Sequence, residues 1–530
     1  MWFIRKLSGF WLVFFITLGN AATMCWFGYD QGVFSGVLIS EDFIKHFPEV
    51  KRANVNGITS SCFSLGAFLG CIFAFTFGDH FGRRRSNFIG LACNAVGAIL
   101  QITAFHLPQM IIGRIINGFG MGVVTAVVPV YQSECAKPQY RGRLVILANI
   151  SNTVAFCLAN WMNYGLYFRG GAFQWRFPLA FQLVFAAIAI PIMIFLPESP
   201  RWLLLKDRSD EALVVLARLE GKNVSVDDPA VVNAHKSIMV AIREERQAVV
   251  PAKDVFLFRD ETQNFRRLLL SCGTQLMQQF SGVNALGYYL PTLLQQSVGF
   301  NQQMSRLLTA CNSTSYLGAA FVCLFIIDMV GRRKLMLYGA ISAGSCYLVA
   351  SICLKMADLH PDKKYQLGSA TTAMFFLYYV FYGTSFAKVP WVYGSEINSL
   401  GWRTRGAAAA TATNWMGSFI VTQFTKVGVD HLHWRFYLMF ACFLYAYFPI
   451  VWMIYPETTQ RTLEDMDVIF RTNPSVFVFR NKNLTQRARP QAFIDAETAR
   501  IEEGTNQLKR GISEGSQKSG VASQQYLEKA

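Results

Sequence analysis

Residues Thr274 to Pro291 read TQLMQQFSGVNALGYYLP, which puts Gln275, Gln278, Gln279, Asn284, Tyr288 and Tyr289 inside an uncharged run from Leu268 to Ser305. A bilayer takes about 20 apolar residues to cross, so the run is long enough to span one. Amides and phenols cost free energy when buried unpaired. They offer donors and acceptors without charge, the chemistry suited to a neutral polyhydroxylated ligand. On one regular helix Gln278 and Asn284 point ~120° apart, at ~100° per residue. Gly282, Gly287 and Pro291 permit a bent or broken helix, which would turn both toward one cavity. The competing reading is that these amides hold neighbouring helices together.

Three charges also fall well inside apolar runs: Asp30, Arg114 and Lys388. An ionisable group at such a depth is a functional-site candidate by default. Lys388 stands three residues before Trp391, close to one helical turn, so both can face one cavity. There it would bind the carboxylate of an acidic sugar, or reach a backbone carbonyl or the cytoplasmic interface.

The elements that must position these residues are membrane helices. Of the 530 residues 52% are hydrophobic and 15% charged, against about 25% charged in soluble domains. Charge-poor spans run over Leu7–Tyr29, Val55–Phe77, Asn87–Phe105, Leu107–Ser133, Leu144–Phe168 and Phe177–Pro197. A second set covers Leu268–Ser305, Leu307–Ile327, Leu335–Leu354, Leu367–Gly394, Gly406–Thr425 and Phe436–Pro456. The expected fold is therefore all-α, with six-helix bundles at 1–197 and 268–456. A cytoplasmic helical linker at 198–267 joins them, and a tail at 457–530 is expected to be disordered after about 511. Ser209–Glu220 and Val231–Arg246 read as linker helices, and Gln460–Phe470 as an amphipathic one.

Lys and Arg cluster in alternate loops, which puts both termini in the cytoplasm. The net charge of +16 is largely this inside bias plus a basic tail, so nucleic acid is a poor inference. The 12 cysteines show no metal-ligand or disulfide spacing and read as small packing residues. By this topology Asp30 and Arg114 lie at similar depths, ~10–12 Å from the outer helix ends, so they are expected to pair.

The basic loops are duplicated. Asp79 with Arg83 returns as Asp328 with Arg332, Glu134 with Arg141 as Glu396 with Arg403, and Glu198 as Glu457. Three echoes in one order describe a tandem repeat. An acid beside a tight glycine turn, followed by arginine, can pair with neighbouring helix ends and latch the cytoplasmic side. The plainer alternative is positive-inside anchoring.

From Gly28 to Thr459 the chain resembles the sugar porter family of the major facilitator superfamily, in phrasing similar to its fungal members. The resemblance rests on GYD at Asp30, GDHFGRR, GRIINGFGMG, YQSECAKPQYRGR, PESPRWL, QQFSGVNALGYY, DMVGRR, VPWVYGSEI and PETT. It implies a rocker-switch carrier whose sugar site maps onto Gln278, Gln279, Asn284, Tyr288, Trp391 and Asn414. Asn149 stands where the family has a Gln, Tyr316 where it has an Asn, and Ala387-Lys388 where it has a Gly-Pro break.

The resulting expectation is a secondary transporter, importing a hexose or pentose with a proton through Asp30 and Arg114. It needs no cofactor and works as a monomer in the plasma membrane. Alternatives are a sugar-acid symporter using Lys388, a facilitative uniporter, or a transporter-like sensor. Family sensors have very long cytoplasmic tails, which disfavours the last. No GxxxxGK[ST] phosphate loop serves an ATP-driven pump, and the spans hold no nucleophile–base or metal cluster for an enzyme.

Overall fold

The computed structural model describes residues 7–137, 141–461, 463–473, 475–491 and 495, without the side chains at 141–143, 145, 146, 463 and 464. It is all-α, with no strand among the described residues. Twelve long helices or helix pairs follow the expected order. In the first bundle they are α1 (Phe10–Val37), α2 (Ala53–Phe81), α3 (Arg83–Ile102), α4 (Leu107–Glu134), α5 (Arg141–Gly165) and α6 (Phe173–Phe195). In the second they are α7 (Asn264–Gln279 with Val283–Leu293), α8 (Gln302–Val330), α9 (Arg332–Leu359), α10 (Lys364–Thr384 with Val389–Ile397), α11 (Arg403–Leu432) and α12 (Trp434–Ile454).

Seven of these, α1, α2, α4, α6, α8, α9 and α12, are long and apolar enough to cross a membrane uninterrupted. Among the rest, α7 and α10 are each broken in the middle, and α3 opens on three arginines. Helix α11 is rich in alanine, threonine and glycine rather than large apolar residues. Small residues let helices approach without a hydrophobic driving force. At Gly28 in α1, an added Cβ would fall 1.8 Å from the Asn152 carbonyl oxygen of α5.

Between the bundles the expected linker helix Ser209–Glu220 is present, and the second runs Pro229–Gln247. The linker touches both bundles. Gly9 N–H donates to the Arg218 carbonyl at 2.7 Å, and Trp402 Nε1 donates to the Val250 carbonyl at 2.8 Å. The amphipathic helix after α12 spans Leu463–Thr472. It is tied to the entrance of α7, where Arg267 bonds the Asp467 carboxylate and the Met466 carbonyl. The tail beyond 495 lies outside the described residues.

Candidate functional site

Helix α7 breaks at Phe280–Gly282, where Gly282 takes φ +88°. A break leaves carbonyls without intrahelical donors, and each needs a partner in an apolar setting. Tyr347 of α9 donates to the Gly282 carbonyl and Tyr378 of α10 to the Ser281 carbonyl, both at 3.0 Å. Of the three residues expected to loosen α7, Gly282 sits at the break, whereas Gly287 and Pro291 lie within the second half. Helix α10 breaks over Ser385–Lys388 although it lacks the family's Gly-Pro. Gln278 Nε2 fills the gap, donating to the carbonyls of Phe386 at 2.7 Å and Ala387 at 3.2 Å.

These two breaks gather the amides. Asn414 Nδ2 donates to Gln278 Oε1 and to Gln275 Oε1, each at 2.7 Å. Asn284 Nδ2 donates to Gln279 Oε1 and, at 2.8 Å, to Ser418 Oγ. Ser418 meets Ser64 of α2 at 2.9 Å, so the chain of hydrogen bonds crosses into the first bundle. Tyr288 and Tyr289 are buried, and neither hydroxyl has a partner among the described residues. Trp391 is half-buried one turn beyond Lys388. Tyr316, which stands where the family has an Asn, packs against the tilted rings of Tyr379 and Tyr382.

The first bundle holds a different cluster. Asp30 and Arg114 are both fully buried, but they do not form the expected ion pair. Asp30 Oδ1 accepts from Asn117 Nδ2 at 3.2 Å, and Oδ2 has no hydrogen-bond partner among the described residues. Asn117 also donates to Gln182 Oε1, which accepts from Trp26 Nε1 at 3.0 Å. Arg114 instead lies over the Phe34 ring, 3.6 Å from its centroid, and donates to the Ser60 carbonyl at 3.2 Å. Similar depth was not enough, because the aromatic face competes for the guanidinium. Asn117 and Gln182 were missed as site residues. Their signal was available: Asn117 lies one turn from Arg114, and both are amides in apolar runs.

At the end carrying the basic loops, two networks repeat. Arg83 donates to Asp79 at 2.6 Å and to Glu134 at 3.3 Å, and the N–H groups of Arg83 and Arg84 donate to Glu198. Arg332 donates to Asp328 at 2.6 Å and to Glu396 at 2.9 Å, and its N–H donates to Glu457. Each network closes within its own bundle rather than between them. The turns require glycine: Gly82 has φ +91° and Gly331 +97°, and a Cβ at either would meet a glutamate oxygen at 2.6 Å. Burial pushes the Glu198 carboxyl above its ordinary value, against the N–H donors of Arg84, Ser199 and Arg83 and the Arg83 charge. The side chain of Arg141 lies outside the described residues, and Arg403 is exposed at the start of α11.

Other contacts join the bundles directly. At the end away from the basic loops, Arg306 of α8 is buried and donates to the carbonyls of Gly36 at 2.9 Å and Asn163 at 3.2 Å. Sequence reasoning began that span at Leu307 and so missed it. Lys426, buried near the same end of α11, was missed likewise and pairs with Asp430 at 2.8 Å. Nearer the basic loops, Lys388 Nζ donates to the Asn149 carbonyl of α5 at 3.2 Å, with Thr153 Oγ1 at 3.5 Å.

The family described as "Sugar (and other) transporter" matches residues 16–470. The MFS-type transporter oryC of Aspergillus oryzae is 42% identical over 513 residues, covering 96% of this chain and 95% of its own. Sugar transporter STL1 of Saccharomyces cerevisiae is 34% identical over 478 residues, covering 88% of this chain and 82% of its own. Among solved structures, the proton:xylose symporter XylE bound to 6-bromo-6-deoxy-D-glucose superposes with a TM-score of 0.71 at 22% identity. It covers 86% of this chain and 99% of that one, so the likeness is one of fold.

Proposed function

The chain belongs to the sugar porter family of the major facilitator superfamily, and from that premise we propose that it imports a monosaccharide together with a proton by alternating access. The observation that carries the reading is a division of buried chemistry. A carboxylate with one unpartnered oxygen, Asp30, sits in the first bundle, and an uncharged amide cluster on two broken helices sits in the second. Gln278, Gln279, Asn284, Tyr288, Trp391 and Asn414 would hold the sugar, with Asn149 and Lys388 at its edge. Neutral donors and acceptors match hydroxyl groups without fixing a charge in the membrane.

A neutral sugar gains nothing from a proton gradient unless a titratable group links the two. Asp30 is that group in this reading. Its protonation removes a buried charge and lets the bundles close around the sugar. Release of the proton to the cytoplasm restores the charge and resets the empty carrier. Arg114, held on Phe34 and the Ser60 carbonyl, acts on Asp30 through the field rather than by direct contact. Helix α2 supports communication between the clusters, since Ser60 meets Arg114 and Ser64 meets Ser418, the partner of Asn284.

The two arginine networks brace each bundle at its cytoplasmic end, so the bundles can rock as bodies. The protein would act as a monomer in the plasma membrane, with both termini in the cytoplasm. XylE, which shares the fold, is a proton:xylose symporter, and the same kind of coupling is proposed for this chain. Uptake of labelled hexoses and pentoses in transporter-null cells, with and without a protonophore, tests the reading. Uptake that collapses with the proton gradient supports it; uptake indifferent to the protonophore contradicts it.

A further inference from the structure

Lys388, half-buried, differs from the other buried and half-buried cations in how its charge is balanced. Arg83 and Arg332 pair with acids at their helix ends, Lys426 pairs with Asp430, and Arg267 with Asp467. Arg306 has no acid, but it binds carbonyls in the last turns of α1 and α5, where the negative end of each helix dipole supplies countercharge. Arg114 lies against the electron-rich face of Phe34. Lys388 has neither. Among the described residues no carboxylate lies within 4.0 Å of its Nζ, whose partners are one carbonyl and one hydroxyl.

Its backbone deepens the imbalance. Lys388 is the N-cap of the second half of α10, so its backbone adjoins the positive end of that helix, where an anion is favoured. The position also adjoins the polyol-binding amides. The neighbouring carbonyls of Phe386 and Ala387 hold Gln278, and Gln278 in turn accepts from Asn414.

We infer that Lys388 forms a carboxylate subsite beside the amide cluster, so that the substrates include polyhydroxylated acids such as uronates. The inference rests on the proposed transport of sugar-like molecules and narrows their chemical class. The acid group would take the place of the Asn149 carbonyl at Nζ, while the hydroxyls engage Gln278 and Asn414. Because Asn149 belongs to the other bundle, the exchange would release one inter-bundle hydrogen bond as substrate binds. The site would then read the charge and loosen the contact in a single step.

The test uses the purified full chain in proteoliposomes and matched pairs, glucose with glucuronate and galactose with galacturonate. Competition against a bound tracer gives the affinity ratio of each acid to its neutral partner, and uptake is followed with and without a proton gradient. The parent should favour at least one acid over its partner by tenfold or more. Lys388→Gln should collapse that ratio at least tenfold, and Lys388→Arg should keep most of it. A merely structural lysine would change both affinities alike and leave the ratio unmoved, which overturns the inference. Proton-driven uptake of the neutral sugars alone also overturns it, while leaving the transport reading standing. Acid uptake indifferent to the proton gradient keeps the subsite and rejects symport. Failure of monodisperse parent protein to take up any of the four overturns the inference, and failure on pentoses as well rejects the transport reading with it.

Discussion

In the first bundle Arg83 holds Asp79 and Glu134 while Glu198 accepts from the turn at Gly82; in the second, Arg332 holds Asp328 and Glu396 while Glu457 accepts from the turn at Gly331. Toward the middle of the membrane the resemblance ends. The first bundle keeps continuous helices around Asp30, Asn117 and Gln182. The second breaks α7 and α10 and fills the breaks with Gln278 and tyrosine hydroxyls. In the proposed mechanism both bundles need the same rigid end to move as a unit. The interiors would bear the chemistry, and two copies of one chemistry would not couple two cargoes. The difference suggests a division of labour, with the proton in one bundle and the polyol in the other.

The comparison can be broken at its matched end first. Arg332→Ala should strand Glu396 and destabilise the protein by about 3 kcal/mol, the low end for breaking a buried pair because part of Glu396 stays in water. Arg83→Ala should cost a similar amount. Thermal unfolding in detergent reads both, and a large disparity would mean that the two networks are not equivalent. A smaller effect should come from the unmatched interior. Gln278→Ala removes an amide that serves Asn414 and the α10 break, and should weaken sugar affinity by about 1–3 kcal/mol. That is roughly 5–150-fold in a tracer competition assay, and unchanged affinity would take α7 out of the site. Least of all should follow from Asp79→Asn or Asp328→Asn. Their side chains are 73% and 75% exposed, so each should cost under about 1 kcal/mol.

Much of this was legible in the chain. Helix number, the linker helix Ser209–Glu220 and the duplicated turns follow from hydropathy and from phrases that occur twice. The closeness of Gln278 and Asn414 also followed, through the resemblance, and the break in α7 followed from the glycine at 282. The Asp30–Arg114 contact did not. Depth can be counted along helices, but the rotation of Arg114 onto Phe34 is a packing outcome. The cross-bundle role of Arg306 was hidden by a span boundary at Leu307, five residues after α8 begins at Gln302. The α10 break survives without the family's Gly-Pro because Pro390 offers the Phe386 carbonyl no N–H and Gln278, from another helix, supplies the donor instead. That partner is remote in sequence, so no local reading of Ala387-Lys388 reveals it.

The central claim, that the first bundle's carboxylate couples the second bundle's cargo to a proton, is tested by accumulation in vesicles with an imposed inward proton gradient. The parent should concentrate sugar above equilibrium. Asp30→Asn, a permanent stand-in for the protonated acid, should still bind sugar and exchange it across the membrane, yet fail to accumulate it. Accumulation by Asp30→Asn at the parental level would contradict the claim, and a parent that merely equilibrates sugar would contradict symport itself.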